Sequence, residues 1–263
     1  MGSATRTALA AAKQDLAARK GVTLASGEQL LSAGRAIEGS AQLRAVLADP
    51  AVEASEKSAL ITSIFGALDA TASALLSELA SARWSTRAEF LDGIEEIGIR
   101  AIAQSAGGKA SIERELFEVE RAVASDAELE LAIGSTLGDT TQKAALVDRL
   151  LGSSISAATA AIVRHLVQSP RGRRIGELLR SAADLVADAN GRIVATVTSA
   201  APLSAAHEKK LVQTLTARYE RTPILNVVID DRILGGLRVQ VGDEVVDGTI
   251  ASRLADLRLQ LAG

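Results

Sequence analysis

At 263 residues, with a net charge of -3 and a sequence pI near 5.6, the chain lacks the basic surface that a general nucleic-acid binder needs to neutralise phosphates. Its 48% hydrophobic content supports a packed core, and with only 2% aromatic residues that core must be built from Ala, Leu, Val and Ile. No cysteine is present, which excludes disulfides, thiolate chemistry and Cys-based zinc sites.

The opening segment, MGSATRTALAAAKQDLAARKG, sets Lys13, Asp15 and Arg19 among alanines without a continuous apolar stretch. It predicts an amphipathic helix over 3–20 rather than a signal peptide. Apolar residues at helical spacing predict further helices over 26–39, 42–48, 55–65, 71–82 and 87–104. Asp49-Pro50 breaks the third of these, and Gly66 stands where a helix-ending glycine belongs. Ala106-Gly107-Gly108 is a candidate joint. No uncharged apolar run approaches the roughly 20 residues that span a bilayer, so membrane association would come through a partner.

The chain then repeats itself. LLSAGRAIEGSAQL, from Leu30, lines up with LFEVERAVASDAEL, from Leu116, and EKSALITSIFG lines up with QKAALVDRLLG. Lys57 falls on Lys143, Leu60 on Leu146, Ile64 on Leu150 and Gly66 on Gly152. After one extra residue, Leu75, Leu76 and Leu79 meet Ile162, Val163 and Leu166, Arg87 meets Arg174 and Leu91 meets Leu178. Amphipathic helices share leucines by chance, but glycines, lysines and arginines that keep step argue for a duplication. Ser169-Pro170-Arg171-Gly172 interrupts the helices of the second copy.

The last quarter changes period. RIVATVTS (192–199) and LNVVI (225–229) are rich in β-branched residues and predict strands. GLRVQVGD alternates Leu237, Val239 and Val241 against Arg238 and Gln240, the pattern of a strand with one buried face. Between them a helix opened by Ser204 carries Leu211, Leu215 and Tyr219 on one face. A closing helix would place Ile250, Leu254, Leu257 and Leu261 on one stripe.

Sites of chemistry are scarce. Gly107-Gly108-Lys109-Ala110 lacks the hydroxyl and the first glycine of a phosphate-binding loop. His165 and His207 form no metal-binding pair, and His165 reads as a packed or half-exposed structural residue. Glu89, Asp92, Glu95 and Glu96 read as a solvated helix face. No Gly-x-Ser-x-Gly turn occurs. Arg171-Gly172-Arg173-Arg174 reads as a bundle corner rather than an anion site, because no extended basic stripe adjoins it. Trp84, at the end of the fifth helix, is by default a core aromatic, although a partly exposed tryptophan beside a groove would anchor a partner.

The specific signal is IDDRILGGLRVQVGDEVVDGTIASRLADLRLQL. Its carriers are Asp230, Leu234, Gly235, Gly236, Gly242, Asp243, Val245, Asp247, Gly248, Thr249, Arg253 and Leu254. In physical terms the motif is structural: Gly235-Gly236 permits positive φ or close strand approach, Gly242-Asp243 reads as a hairpin turn, and Asp247 or Thr249 can cap the closing helix. In order, spacing and residue type the segment resembles the ending of the ATP synthase delta/OSCP family, and with two bundle-like segments where shorter members carry one the chain is similar to that family's extended actinobacterial-type form.

Residue patterns and resemblance together predict a mainly α chain with a small α/β C-terminal domain. Its parts are an antiparallel helical bundle over 1–105, a second, duplicated bundle segment over 106–188, and a strand–helix–strand–strand–helix module over 189–263. The resemblance implies a non-catalytic peripheral-stalk subunit of a proton-translocating F-type ATP synthase, with no cofactor and no metal. It would link the alpha/beta head to the b-subunit stalk on the cytoplasmic face of the bacterial membrane, with no membrane insertion of its own. Alpha-subunit N-terminal helices would dock in a groove between the first and fifth helices, touching Ala8, Ala12, Leu16, Leu76, Leu79 and Trp84. The C-terminal region of b would meet the small domain. An unrelated helical adaptor for amphipathic partner helices is the alternative, and it leaves the glycine/aspartate ending unexplained.

Overall fold

Alanine and leucine at every third or fourth position turn one face of α1 (Ser3–Ala18) inward, burying Thr5, Ala8, Leu9, Ala12 and Leu16. It is followed by α2 (Leu24–Gly39), α3 (Ala41–Leu47), α4 (Ala54–Ile64), α5 (Ala70–Ser81) and α6 (Arg87–Ala106). The computed structural model describes residues 1–108, 111–134, 140–152, 154–233 and 235–250. Leu234, Arg253, Leu254 and the expected closing helix beyond Ile250 lie outside the described residues. Side-chain caps set several helix starts: Thr23 Oγ1 accepts from Ser26 N at 3.1 Å, Asp69 Oδ1 from Ala72 N at 2.7 Å and Thr86 Oγ1 from Glu89 N at 3.1 Å. At the other end of α6, Gly107 adopts φ +57° and stops the helix.

Five more helices follow: α7 (Ile112–Ser125), α8 (Ala127–Gly134), α9 (Thr140–Leu151), α10 (Ala157–Gln168) and α11 (Ile175–Ala189). They begin 86 to 88 residues after α2 to α6, in the same order. Leu30 and Leu116, Leu75 and Ile162, and Leu79 and Leu166 are buried at matching places. Buried lysines match too: Lys57 and Lys143 are 2% and 7% exposed, and Lys57 Nζ donates to Ala80 O at 2.8 Å. So does a contact at the cap of the fourth helix of each series. Asp69 N donates to Gln29 Oε1 at 2.6 Å, and Ser156 N donates to Glu115 Oε2 at 2.9 Å.

Two apolar clusters fill the helical part, and α6 serves both. One joins α1, α2, α5 and α6 through Leu16, Leu30, Leu76 and Ile97. The other joins Leu31, Ile99, Ile102 and Ala103 to Leu116, Leu166 and Leu179. The two helices α2 and α6 approach closely because Gly27 and Gly98 face each other: a Cβ on Gly27 would crowd Ile102 and the Gly98 carbonyl, and one on Gly98 would strike Leu31.

From α11 the chain enters β1 (Arg192–Ser199), α12 (Ala205–Tyr219), β2 (Thr222–Ile229), β3 (Leu237–Val241) and β4 (Glu244–Asp247). The sheet order is β2-β1-β3-β4, with β1 and β2 parallel and the other pairs antiparallel. Strand β4 is a fourth strand beyond the three predicted. Strand β2 begins at Thr222 rather than Leu225 and includes Pro223, which an edge strand tolerates because its missing N–H is not needed for pairing. One face, with Ala195, Val197 and Val239, packs on Leu215 of α12. The other face, with Val194, Thr196, Asn226, Val228 and Gln240, looks toward α7 and α11.

Candidate functional site

The six residues expected at a docking groove lie together in one apolar cluster and are buried. Ala8, Ala12 and Leu16 are 6%, 3% and 3% exposed, Leu76 and Leu79 are 0% and 1%, and all belong to one cluster with Trp84. Trp84 is 6% exposed and lies beyond α5, which ends at Ser81. It is therefore neither the last residue of the fifth helix nor a partly exposed anchor. Its indole Nε1 donates to Leu79 O at 2.7 Å, satisfying a carbonyl of the last turn, and its ring packs 5.9 Å from that of Phe90. Gly93 leaves room for the indole, since a Cβ there would enter it. What α1 presents outward is Arg6, Thr7, Ala10, Ala11, Gln14, Ala17 and Ala18. Across the α1–α5 seam, Arg19 pairs with Asp15 and lies 3.6 Å from Glu78. Burial, then the hydrogen bond and charge of Asp15, push the Glu78 carboxyl up to about 7.

A second polar constellation lies where the two helical series meet, and it corrects the solvated-face reading of α6. Glu95 is buried and accepts from Arg173 Nη1 at 2.8 Å, Arg173 Nη2 at 2.9 Å and Arg171 Nη2 at 2.7 Å. Arg35 Nη1 donates to His165 Nδ1 at 2.8 Å. A guanidinium can only donate, so Nδ1 is the acceptor nitrogen and Nε2–H donates to Glu95 Oε2 at 3.3 Å. Burial opposes ionisation of Glu95, yet His165, Arg173 and Arg171 hold its carboxyl far below the usual range. Burial also lowers the His165 pKa, in keeping with the neutral ring. Glu89 accepts from Thr5 Oγ1 at 2.6 Å, Glu96 pairs with Lys13 at 2.7 Å and Arg100 at 2.9 Å, and Asp92 pairs with Arg171 at 2.9 Å. The basic loop between α10 and α11 thus grips a carboxylate of its own chain. One sequence signal pointed there: α6 is apolar at Phe90, Leu91, Ile94, Ile97, Ile99 and Ile102, on more than one stripe, as in a helix buried on several sides.

The glycine/aspartate motif shapes the sheet. Asp230 N donates to Ser199 O at 2.9 Å, and its carboxylate takes Arg232 N at 3.0 Å. Gly236 has φ +85°, and a Cβ on it would meet the Gly248 carbonyl, so the chain crosses itself there. Gly235 O accepts from Ile250 N at 3.1 Å. Gly242, with φ +56°, and Asp243 form the two-residue turn between β3 and β4. Asp247 Oδ1 accepts from Thr249 N at 3.0 Å, which turns the chain after β4. Among the described residues no group of three or more His, Cys, Asp or Glu is placed to hold a metal ion, and no helix is long and apolar enough to cross a membrane.

These features define a stacked helical scaffold whose last helix runs into a small mixed sheet. The family description "ATP synthase delta (OSCP) subunit" matches residues 99–261. The chain is 50% identical over 264 residues to the ATP synthase subunit delta of Leifsonia xyli subsp. xyli, covering 100% of each. It is 37% identical over 267 residues to that of Streptomyces avermitilis, covering 98% of each, and 37% over 270 residues to that of Streptomyces coelicolor, covering 100% of this chain and 98% of the relative. The chain belongs to the ATP synthase delta (OSCP) subunit family.

Proposed function

We propose that the chain is a non-catalytic peripheral-stalk subunit of a proton-translocating F-type ATP synthase. It ties the alpha/beta head to the b-subunit stalk so that rotation is coupled to ATP synthesis, on the cytoplasmic face of the bacterial membrane. The observation that carries this reading is the end-to-end relationship to ATP synthase delta subunits, at 50% identity for Leifsonia xyli. A stator resists torque through wide surfaces, and engaging several sites on one assembly raises the overall affinity without any new contact.

Alpha-subunit N-terminal helices dock on the α1–α5 face, with Ala8, Ala12, Leu16, Leu76, Leu79 and Trp84 as its floor, and the b-subunit end meets the sheet domain. The division into a first helical unit, its duplicate and the sheet domain supports this choice of face. Helices α6 and α10 stand to the second unit as α1 and α5 stand to the first: α1 packs on α5 and α6, and α6 packs on α10 and α11. The α6–α10 face is already covered by α2, through Glu28 to Arg164 at 3.7 Å, Arg35 to His165 at 2.8 Å, and Glu38 to Ser169. Outward alanines on α1 leave the equivalent face open to an amphipathic helix. Titration of the isotope-labelled chain with a peptide of the alpha-subunit N-terminal helix should shift amide signals in α1 and α5. Shifts in α6 and α10 instead, or none at saturating peptide, would overturn the assignment.

A further inference from the structure

The second helical unit holds an internal example of a helix lying across its first and fifth helices. That helix is α2, which comes from the first unit and covers the α6–α10 face. Gly27 of α2 abuts Gly98 and Ile102, and Gly34, two turns on, abuts Ile94, so α2 runs antiparallel to α6. Its polar contacts follow α10 in the same sense. Arg35 donates to His165 at 2.8 Å, and Ser169, one turn further along, donates to Glu38. A cation and, three residues later, a carboxylate thus fix the register of α2 on this face.

The repeat carries the pattern back to the first unit. Pairing Leu75 with Ile162 and Leu79 with Leu166 puts Glu78 at the place of His165, and Ala82 at that of Ser169. Glu78 is the one ionisable residue of α5, and it lies at the α1–α5 seam with Asp15 and Arg19 of α1, all three partly exposed. Two carboxyls share one guanidinium there. Arg19 pairs with Asp15 and lies 3.6 Å from Glu78, and the two carboxyls are hydrogen-bonded to each other. Burial, then Asp15, raises the Glu78 carboxyl to about 7, so a shared proton makes up the missing positive charge. Asp15 and Arg19 are the charged groups that act on Glu78. Gln104 of α6 reaches the Arg19 carbonyl, and Lys57 of α4 meets α5 at Ala80 O. Next to Ala82, Arg83 is exposed and joins no ion pair among the described residues. Exposed Arg6 lies at the same end of the seam, where Ser85 N donates to Thr5 Oγ1 at 3.1 Å.

We infer that the helix docked on α1–α5 runs antiparallel to α1, sets a lysine or arginine on the Asp15–Glu78 pair and places a carboxylate one turn later at Arg83. This rests on the reading of α1–α5 as the docking face, and adds the direction of the partner helix and the charges it must carry. Charge complementarity supports it twice over, with an acidic pair short of a cation at one point and an unpaired arginine one turn away. On docking, the partner's cation takes the place of the shared proton, which passes to solvent and leaves both carboxylates ionised.

Calorimetric titration of the full chain with a synthetic peptide of the alpha-subunit N-terminal helix, at pH 7 in phosphate and in Tris, counts the protons exchanged. The parent chain should release roughly half a proton per peptide, because Glu78 is half protonated at a pH equal to its pKa. Glu78→Gln should release none and bind about tenfold more weakly. Proton uptake would mean that apolar side chains cover the pair and would overturn the inference, as would equal affinity of the variant. A spin label at the C-terminal end of the peptide should broaden the amide signals of Arg6 and Arg83 and spare Arg19. The reverse would overturn the antiparallel direction. No binding, or broadening confined to helices other than α1 and α5, would remove the docking face itself and this inference with it.

Discussion

Glu95, His165, Arg171 and Arg173 are drawn from two helices and a loop, and one carboxylate serves three donors. Removing that carboxylate leaves Arg173 without its ion-pair partner and Arg171 with only Asp92. Glu95→Ala should therefore cost about 3 kcal/mol in urea unfolding at neutral pH, the scale for breaking a buried pair. A loss below about 1 kcal/mol would put the cluster on a par with surface pairs. The pH sense follows from the two titrating groups. Glu95 has a depressed pKa, so its contribution is complete above the ordinary carboxylate value and is lost as pH falls. His165 is also depressed, so it too favours the folded state above its unfolded pKa of about 6.5 and opposes it in acid. Arg35, Arg171 and Glu95 face that ring, and a second proton on it would meet two cations. The pairing itself was not legible in the sequence, because Glu95 and Arg171 are 76 residues apart and nothing local ties them together.

Helices were the most legible level, because a helix records its buried stripe in every third or fourth residue. The predicted helix over 87–104 corresponds to α6 and that over 71–82 to α5, each within two residues at either end. What the pattern did not reveal is the seam between helices, where Asp15, Arg19 and Glu78 meet. Glu78 is an acid with a raised folded pKa, about 7 against an ordinary 4.5. Its contribution to stability is full below about 4.5 and is lost as pH rises toward 7, opposite in sign to Glu95. Glu78→Gln fixes a neutral side chain at the seam. It should flatten the decline in melting temperature between pH 5 and pH 8 and leave the acid limb unchanged. A variant whose melting profile runs parallel to the parent's across that range would show that Glu78 is not the group responsible.

For the molecule as a whole, α6 decides how the parts behave together. Ile97 packs into one apolar cluster and Ile102 into the other, so neither helical unit can open without disturbing the same helix. Ile102→Ala should cost about 2–5 kcal/mol and still give one unfolding transition by circular dichroism, with both units lost together. Two resolved transitions would mean that the units are separable. Such coupling suits a part that must transmit load without yielding at a joint. By itself the sequence determined the helices, their recurrence at an interval of 86 or 87 residues, the change of period near residue 190 and the family ending, all of which are written in residues close together along the chain. Only the tertiary structure decided that α6 belongs to two cores, that the basic loop holds Glu95, that Trp84 is buried and that, among the described residues, a cavity lies between α7, α11 and one face of the sheet. The physical reason is that periodicity marks a face as buried without naming what buries it, and that choice is made by packing between segments far apart in sequence.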